Sequence, residues 1–207
     1  IEPGHPLPGN AAMVILPGSK STISDLENFR TNGWDIDLQA HHRRGGKIIG
    51  ICGGYQMLGR KIHDPDGIEG AACSVAGLGY LDIETTMTQK KNLFLTKAHT
   101  AASQTPVHGY EIHLGRTTGP DCNTPWLQLV DRPEGAMSSD KRVRGCYLHG
   151  LFASDSFRAE ILSELGTRSQ LSSYDTTVHE TLDQLASFIE RHIDVEGLIS
   201  LAGEVGP

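Results

Sequence analysis

One short stretch constrains this chain more than any other: GICGGYQMLG, residues 50–59. Four of its ten residues are glycine, and Cys52 stands among them directly after the apolar run KIIGI at 47–51. A segment this rich in glycine is poor material for core packing, so the glycines answer a demand of the backbone. Gly50-x-Cys52-x-Gly54, after a strand and before a helix, has the layout of a nucleophile elbow. In such a turn the middle residue takes strained backbone angles, and a Cβ on either flank collides as the chain doubles back. The thiol is then raised at the carboxyl edge of a sheet, where α/β proteins bind ligands. It also sits at a helix N-terminus, whose dipole favours thiolate and is expected to lower the pKa. The N–H of Gly53 is placed to stabilise an oxyanion. Alone, the short motif fits a small buried hydrophobe at a tight turn equally well.

Two further stretches supply what a thiol nucleophile needs. LPGSKST at 16–22 is another strand end opening into a helix, and the N–H groups of Gly18 and Ser19 can complete an oxyanion hole. YLHG at 147–150 ends a later strand with His149, the base that a thiol requires. Only folding can join residues this far apart.

The surrounding pattern is α/β. AAMVILPG (11–18) reads as a buried strand, and SKSTISDLENFRTNGW as an amphipathic helix ending near Gly33. DIDLQAHHRR is a second helix, KIIGI a second buried strand, and YQMLGRKI the start of a third helix. Short apolar strands alternating with helices imply a parallel sheet covered on both faces. Further along, GLGYLDIETTM, KNLFLTKAHTAA, VHGYEIHLGRTT, WLQLV and RVRGCYLHG read as strands, some antiparallel. The tail returns to helix: SFRAEILSEL, then VHETLDQLASFIERHI with Val178, Leu182, Leu185 and Ile189 on one face.

Composition narrows the function. A formal net charge of -7 argues against a sequence-independent grip on nucleic acid, and HHRRGGK at 41–47 reads as a solvated helix end. No apolar run approaches the ~20 residues that span a bilayer. Cys52, Cys73, Cys122 and Cys146 form no CxxC pair, which leaves no zinc knuckle and makes a cytoplasmic home with reduced thiols the default. Cys73, Cys122 and Cys146 lack an elbow and read as structural. His108, His113 and His149 lack an acidic partner at diagnostic spacing, and strand alternation sets His108 and Glu111 on opposite faces, so no metal is expected. HDPDGIEG at 63–70 has the acidic look of a calcium loop without its full spacing, and reads as a loop near the active-site rim.

VILPGSKST, GICGGYQMLG, GYEIH and YLHGLF, in this order and spacing, resemble the class I glutamine amidotransferase domains of the cobyric acid synthase family, over about residues 11–165. The resemblance implies a flavodoxin-like α/β fold, with a mixed, mostly parallel central sheet flanked by helices. It makes Cys52 the nucleophile that attacks the glutamine side-chain amide, and His149 its base and acid. It assigns Gly53, with Gly18 or Ser19, to the oxyanion hole, and Gln56, Gly54 and Tyr55 to the neighbourhood of bound glutamine. Ammonia then passes to an N-terminal synthetase domain that uses ATP and Mg to amidate a corrinoid substrate. This domain itself needs no cofactor, and no nucleic acid or membrane partner is implied. The expected division is a lead-in over 1–10 from a missing N-terminal region, then the amidotransferase domain over 11–207, helical from about 154.

Two departures from the wider class stand out. His149 is followed by Gly150 and Leu151 where most class I amidotransferases carry Pro and Glu, so its orienting partner is open. Glu111 and His113 are candidates for that role or for substrate contact. No GxxxxGK[ST] phosphate loop occurs. Rival readings are the glutaminase subunit of the lipid II amidating complex, a cobyrinic acid a,c-diamide synthase, and a non-catalytic domain of the same fold.

Overall fold

The structure, a computed structural model, describes residues 1–89, 92–168 and 173–202. The chain divides into two compact units, residues 1–168 and 169–207.

The first unit opens with β1 (Met13–Leu16), α1 (Thr22–Thr31), α2 (Trp34–Arg43), β2 (Lys47–Ile51) and α3 (Gly53–Leu58). Then come β3 (Lys61–Asp64), β4 (Cys73–Ala76), β5 (Glu84–Thr86), β6 (Asn92–Thr100), β7 (Pro106–His113) and β8 (Arg116–Thr118). β9 (Leu127–Leu129), β10 (Pro133–Glu134), β11 (Ala136–Met137), β12 (Val143–Cys146), β13 (Leu148–His149) and α4 (Asp155–Glu164) complete it. Lys91, with which the second expected middle-region strand segment begins, lies outside the described residues.

Three sheets result. The mostly parallel one runs β1-β2-β12-β11, with β1 and β12 both parallel to β2. β2 is buried on both faces, as its unbroken apolar run requires. Ile48 joins a core with Leu16, Leu26, Leu38 and Leu58, whereas Ile49 joins a second core with Trp126, Leu148, Phe157 and Ile161. Each fully buried isoleucine contributes about 1.5–3 kcal/mol. The middle strands form the antiparallel sheet β10-β9-β6-β7-β13 and the mixed sheet β4-β3-β5-β8.

The helix read from YQMLGRKI is shorter than expected. It stops at Leu58, and Lys61–Asp64 is a strand, pairing parallel with β5 and antiparallel with β4. Arg60 N–H donates to Ile83 O at 2.8 Å, so tertiary pairing captures the backbone that local pattern assigned to helix.

The second unit holds α5 (Tyr174–His192), capped by Ser173 Oγ accepting from Thr176 N–H, and α6 (Val195–Ala202). Val178, Leu182, Leu185 and Ile189 lie on α5 as expected and are exposed. Among the described residues, no helix is long and apolar enough to cross a membrane.

Candidate active site

Three parallel strands deliver the site. β1 ends at Leu16 and leads into Pro17-Gly18-Ser19. β2 ends at Ile51 and leads into Cys52. β12 ends at Cys146 and leads through Tyr147 to His149. Their carboxyl ends open on one edge of the sheet, the position from which α/β folds present ligand-binding groups.

Cys52 has φ 51° and ψ -112°, a conformation that few residues with a side chain adopt. Tight packing holds it there. A Cβ on Gly54 would fall 2.1 Å from Leu16 O, and the Gly54 N–H donates to Pro17 O at 3.1 Å. Cys52 N–H itself donates to Cys146 O at 2.9 Å, tying the elbow to β12. The turn and its glycine spacing are those of a nucleophile elbow.

Burial pushes the Cys52 thiol above its ordinary pKa, and the Gly53 N–H offsets this only in part. The lowering expected from the helix N-terminus is therefore overturned: α3 has six residues, too few for a strong dipole, and desolvation dominates. The resting thiol is protonated, and Sγ donates to Ile112 O at 3.5 Å.

His149 comes to the same place. Its ring packs over Gly18, where an added Cβ would lie 2.8 Å from Cε1 and 3.6 Å from Cys52 Cβ. Burial lowers its pKa, against a smaller opposing pull from the Ile112 carbonyl, so the imidazole is neutral near pH 7 and able to accept a proton. Its Nε2 is buried and has no hydrogen-bond partner among the described residues. Tyr110 stacks on the ring at 5.1 Å with 7° between planes, and β13 pairs His149 with Tyr110 of β7. Stacking and the Gly18 contact thus orient the base.

Glu111 does not take that role. Both its oxygens accept from Arg132 Nη2, at 2.7 and 2.6 Å, and the carboxylate is buried in that pair. His113 stacks on Tyr147 at 3.7 Å, its Nδ1–H donates to Gly115 O at 3.1 Å, and it lines the cavity in front of Cys52. Glu134, which the sequence reading passed over, is buried beside Arg132 with its carboxyl pushed up to about 7, and accepts from Tyr147 N–H at 2.8 Å. Nothing in the local sequence marks it, because its partners come from other strands.

The cavity measures about 570 Å3 and is lined by Gly18, Ser19, Cys52, Gln56 and His149 among others. Gln56 is placed there as scaffold. Its Oε1 accepts from Thr22 Oγ1 at 3.1 Å, and its Nε2 donates to Leu114 O and Tyr147 Oη at 2.9 and 3.2 Å. Gly54 and Tyr55, expected near bound glutamine, are buried away from the cavity. Gly54 packs on β1, and Tyr55 sits edge-on to Tyr147 at 5.3 Å. The 18–19 loop touches the elbow, since Ser19 N lies 2.9 Å from where a Cβ on Gly53 would be. No acceptor among the described residues takes the Ser19 N–H. Asp64 is no calcium ligand in this arrangement: its carboxylate caps its own loop, accepting from Ile68 and Glu69 N–H at 2.8 and 2.9 Å.

The fold and the elbow define a class I glutamine amidotransferase. Two solved structures share the fold: a glutamine amidotransferase (TM-score 0.52, 16% identity, 74% of this chain and 78% of that one) and PurLQS from Thermotoga maritima (TM-score 0.56, 17% identity, 78% and 82%). The chain belongs to the CobB/CobQ-like glutamine amidotransferase domain family, whose model matches residues 1–157. Curated relatives named cobyric acid synthase include that of Ruegeria sp. (strain TM1040), 58% identical over 98% of this chain, and that of Bradyrhizobium sp. (strain ORS 278), 53% identical over 100% of this chain. The chain spans 42% of the length of each.

Proposed function

We propose that this chain is the ammonia-producing part of a cobyric acid synthase, hydrolysing glutamine through a thioester on Cys52. The observation that carries the reading is the strained Cys52 facing the same cavity as a neutral His149 whose Nε2 has no hydrogen-bond partner among the described residues. Neutral His149 takes the Sγ proton, and the thiolate attacks the side-chain amide carbon. The oxyanion is received by the N–H of Gly53 and that of Gly18 or Ser19. The imidazolium then protonates the amide nitrogen, the C–N bond breaks, and ammonia leaves. Water attacks the glutamyl thioester, giving its proton to His149. Collapse frees glutamate and restores the thiol as His149 returns the proton to sulfur.

In this reading the ammonia serves an N-terminal synthetase part of the whole protein, where ATP and Mg activate carboxylates of adenosylcobyrinic acid a,c-diamide for conversion to cobyric acid. The relatives' greater length and name support that extension. At rest the thiol donates to Ile112 O, and slow turnover by the separated chain is expected. Hydroxylamine trapping tests the step. Incubation with glutamine and hydroxylamine is expected to yield glutamyl hydroxamate with wild type and none with Cys52→Ala. Hydroxamate from the alanine variant would overturn the mechanism.

A further inference from the structure

The loop at 63–70, read from its sequence as a loop near the active-site rim, contributes a side chain to the cavity itself. Glu69 lines the cavity in front of Cys52, and Lys20 lines it too. They carry opposite charges yet form no ion pair with each other, and neither has an oppositely charged partner among the described residues. Glu69 is held firmly. Its Oε2 accepts from Ile23 N–H at 2.9 Å, in the first turn of α1, and its own N–H donates to the buried Asp64 at 2.9 Å. The neutral polar groups nearby are occupied, since Thr22 and Gln56 bond to each other.

Resting on the glutaminase reading, we propose that Lys20 and Glu69 form a subsite for an α-amino-acid zwitterion: Lys20 takes the α-carboxylate and Glu69 the α-ammonium, leaving the side-chain amide directed to Cys52. Two opposite charges that line one cavity without pairing with each other match a ligand that brings both charges on a single carbon. Each charge loses water on binding and gains a partner, so the pairing is favourable only when both ends are present. The same arrangement excludes glutamine side chains within polypeptides, whose α-groups are uncharged amides, and so confines the thiol to the free amino acid.

The test uses 6-diazo-5-oxo-L-norleucine, an electrophilic glutamine analogue, with its N-acetyl derivative and its methyl ester. Labelling rates of Cys52 are followed by intact mass. Wild type is expected to take the free analogue at least tenfold faster than either derivative. Glu69→Gln, which retains an acceptor for Ile23 N–H, should lose the preference over the N-acetyl derivative and keep the preference over the ester. Lys20→Met should do the reverse. Wild-type ratios retained in both variants, or preferences lost in the opposite order, would overturn the subsite. A folded wild type that takes none of the three reagents would instead overturn the glutaminase reading, and the subsite with it.

Discussion

Cys52 and His149 meet in one cavity but are placed by opposite means. The nucleophile is set by a local turn: a strained residue between glycines at the end of β2, clamped where Gly54 presses on Leu16 O of β1. The base is fixed by strangers. It sits on a two-residue strand at the edge of the antiparallel sheet, steadied by Tyr110 across the ladder and by Gly18 from the loop after β1. Short-range covalent geometry gives a position that tolerates little change. Long-range pairing gives one that can be disturbed without unfolding the protein.

Paired glycine substitutions break the comparison most directly. Gly54→Ala sets a Cβ 2.1 Å from Leu16 O, and the backbone there has nowhere to go. A loss of about 3 kcal/mol in stability is expected, with activity abolished, read by denaturant unfolding and ammonia release. Gly109→Ala sets a Cβ 1.9 Å from His149 O, so β7 and β13 must part. Here ammonia release should fall about 100-fold while stability falls by only about 1 kcal/mol, because the strand displaced is a short edge. Equal losses of stability in the two variants would refute the distinction.

Tyr110→Ala probes the base more gently. Removing a stacked ring is worth about 0.5–1.5 kcal/mol, so kcat should drop roughly threefold to tenfold with the melting temperature little changed. The acid limb of the pH profile for ammonia release should lie below the ordinary histidine value of 6.5, since burial holds His149 neutral, and it should move up towards that value in Tyr110→Ala as the ring gains water. A separate test concerns Glu134. Its folded pKa, about 7 against 4.5, means that the folded state binds more protons between those values. Stability should therefore decline as pH rises through that window, and Glu134→Gln should flatten the decline in a series of thermal melts.

The same division explains what could be read from the sequence. The elbow was legible because its cause is local: strand, glycine, cysteine, glycine, helix. β1 and β2 were legible as short apolar runs bounded by turn residues, and α5 because its apolar residues recur at helical spacing. Gly18, Cys52 and His149 each ended an expected strand, and parallel pairing of those strands brings their ends together. β3 was misread because its helix-like residues are captured by β4 and β5, which lie further along the chain. Glu134 and the capping role of Asp64 were invisible for a similar reason, as were the stacking of Tyr110 and the Ile112 carbonyl that holds the thiol. Each depends on a contact with no signature in its own segment. The pKa of Cys52 was misjudged because burial cannot be read from an elbow motif.

Delivery of the site by three parallel strands also sets a timetable for synthesis. Cys52 leaves the ribosome 149 - 52 = 97 residues ahead of His149. At about 5–20 residues per second, the nascent chain carries its thiol for roughly 5–20 s before its base exists. β12 must dock on β2 before Tyr147 and His149 can reach the cavity, so the nucleophile gains its base only once the central sheet has closed.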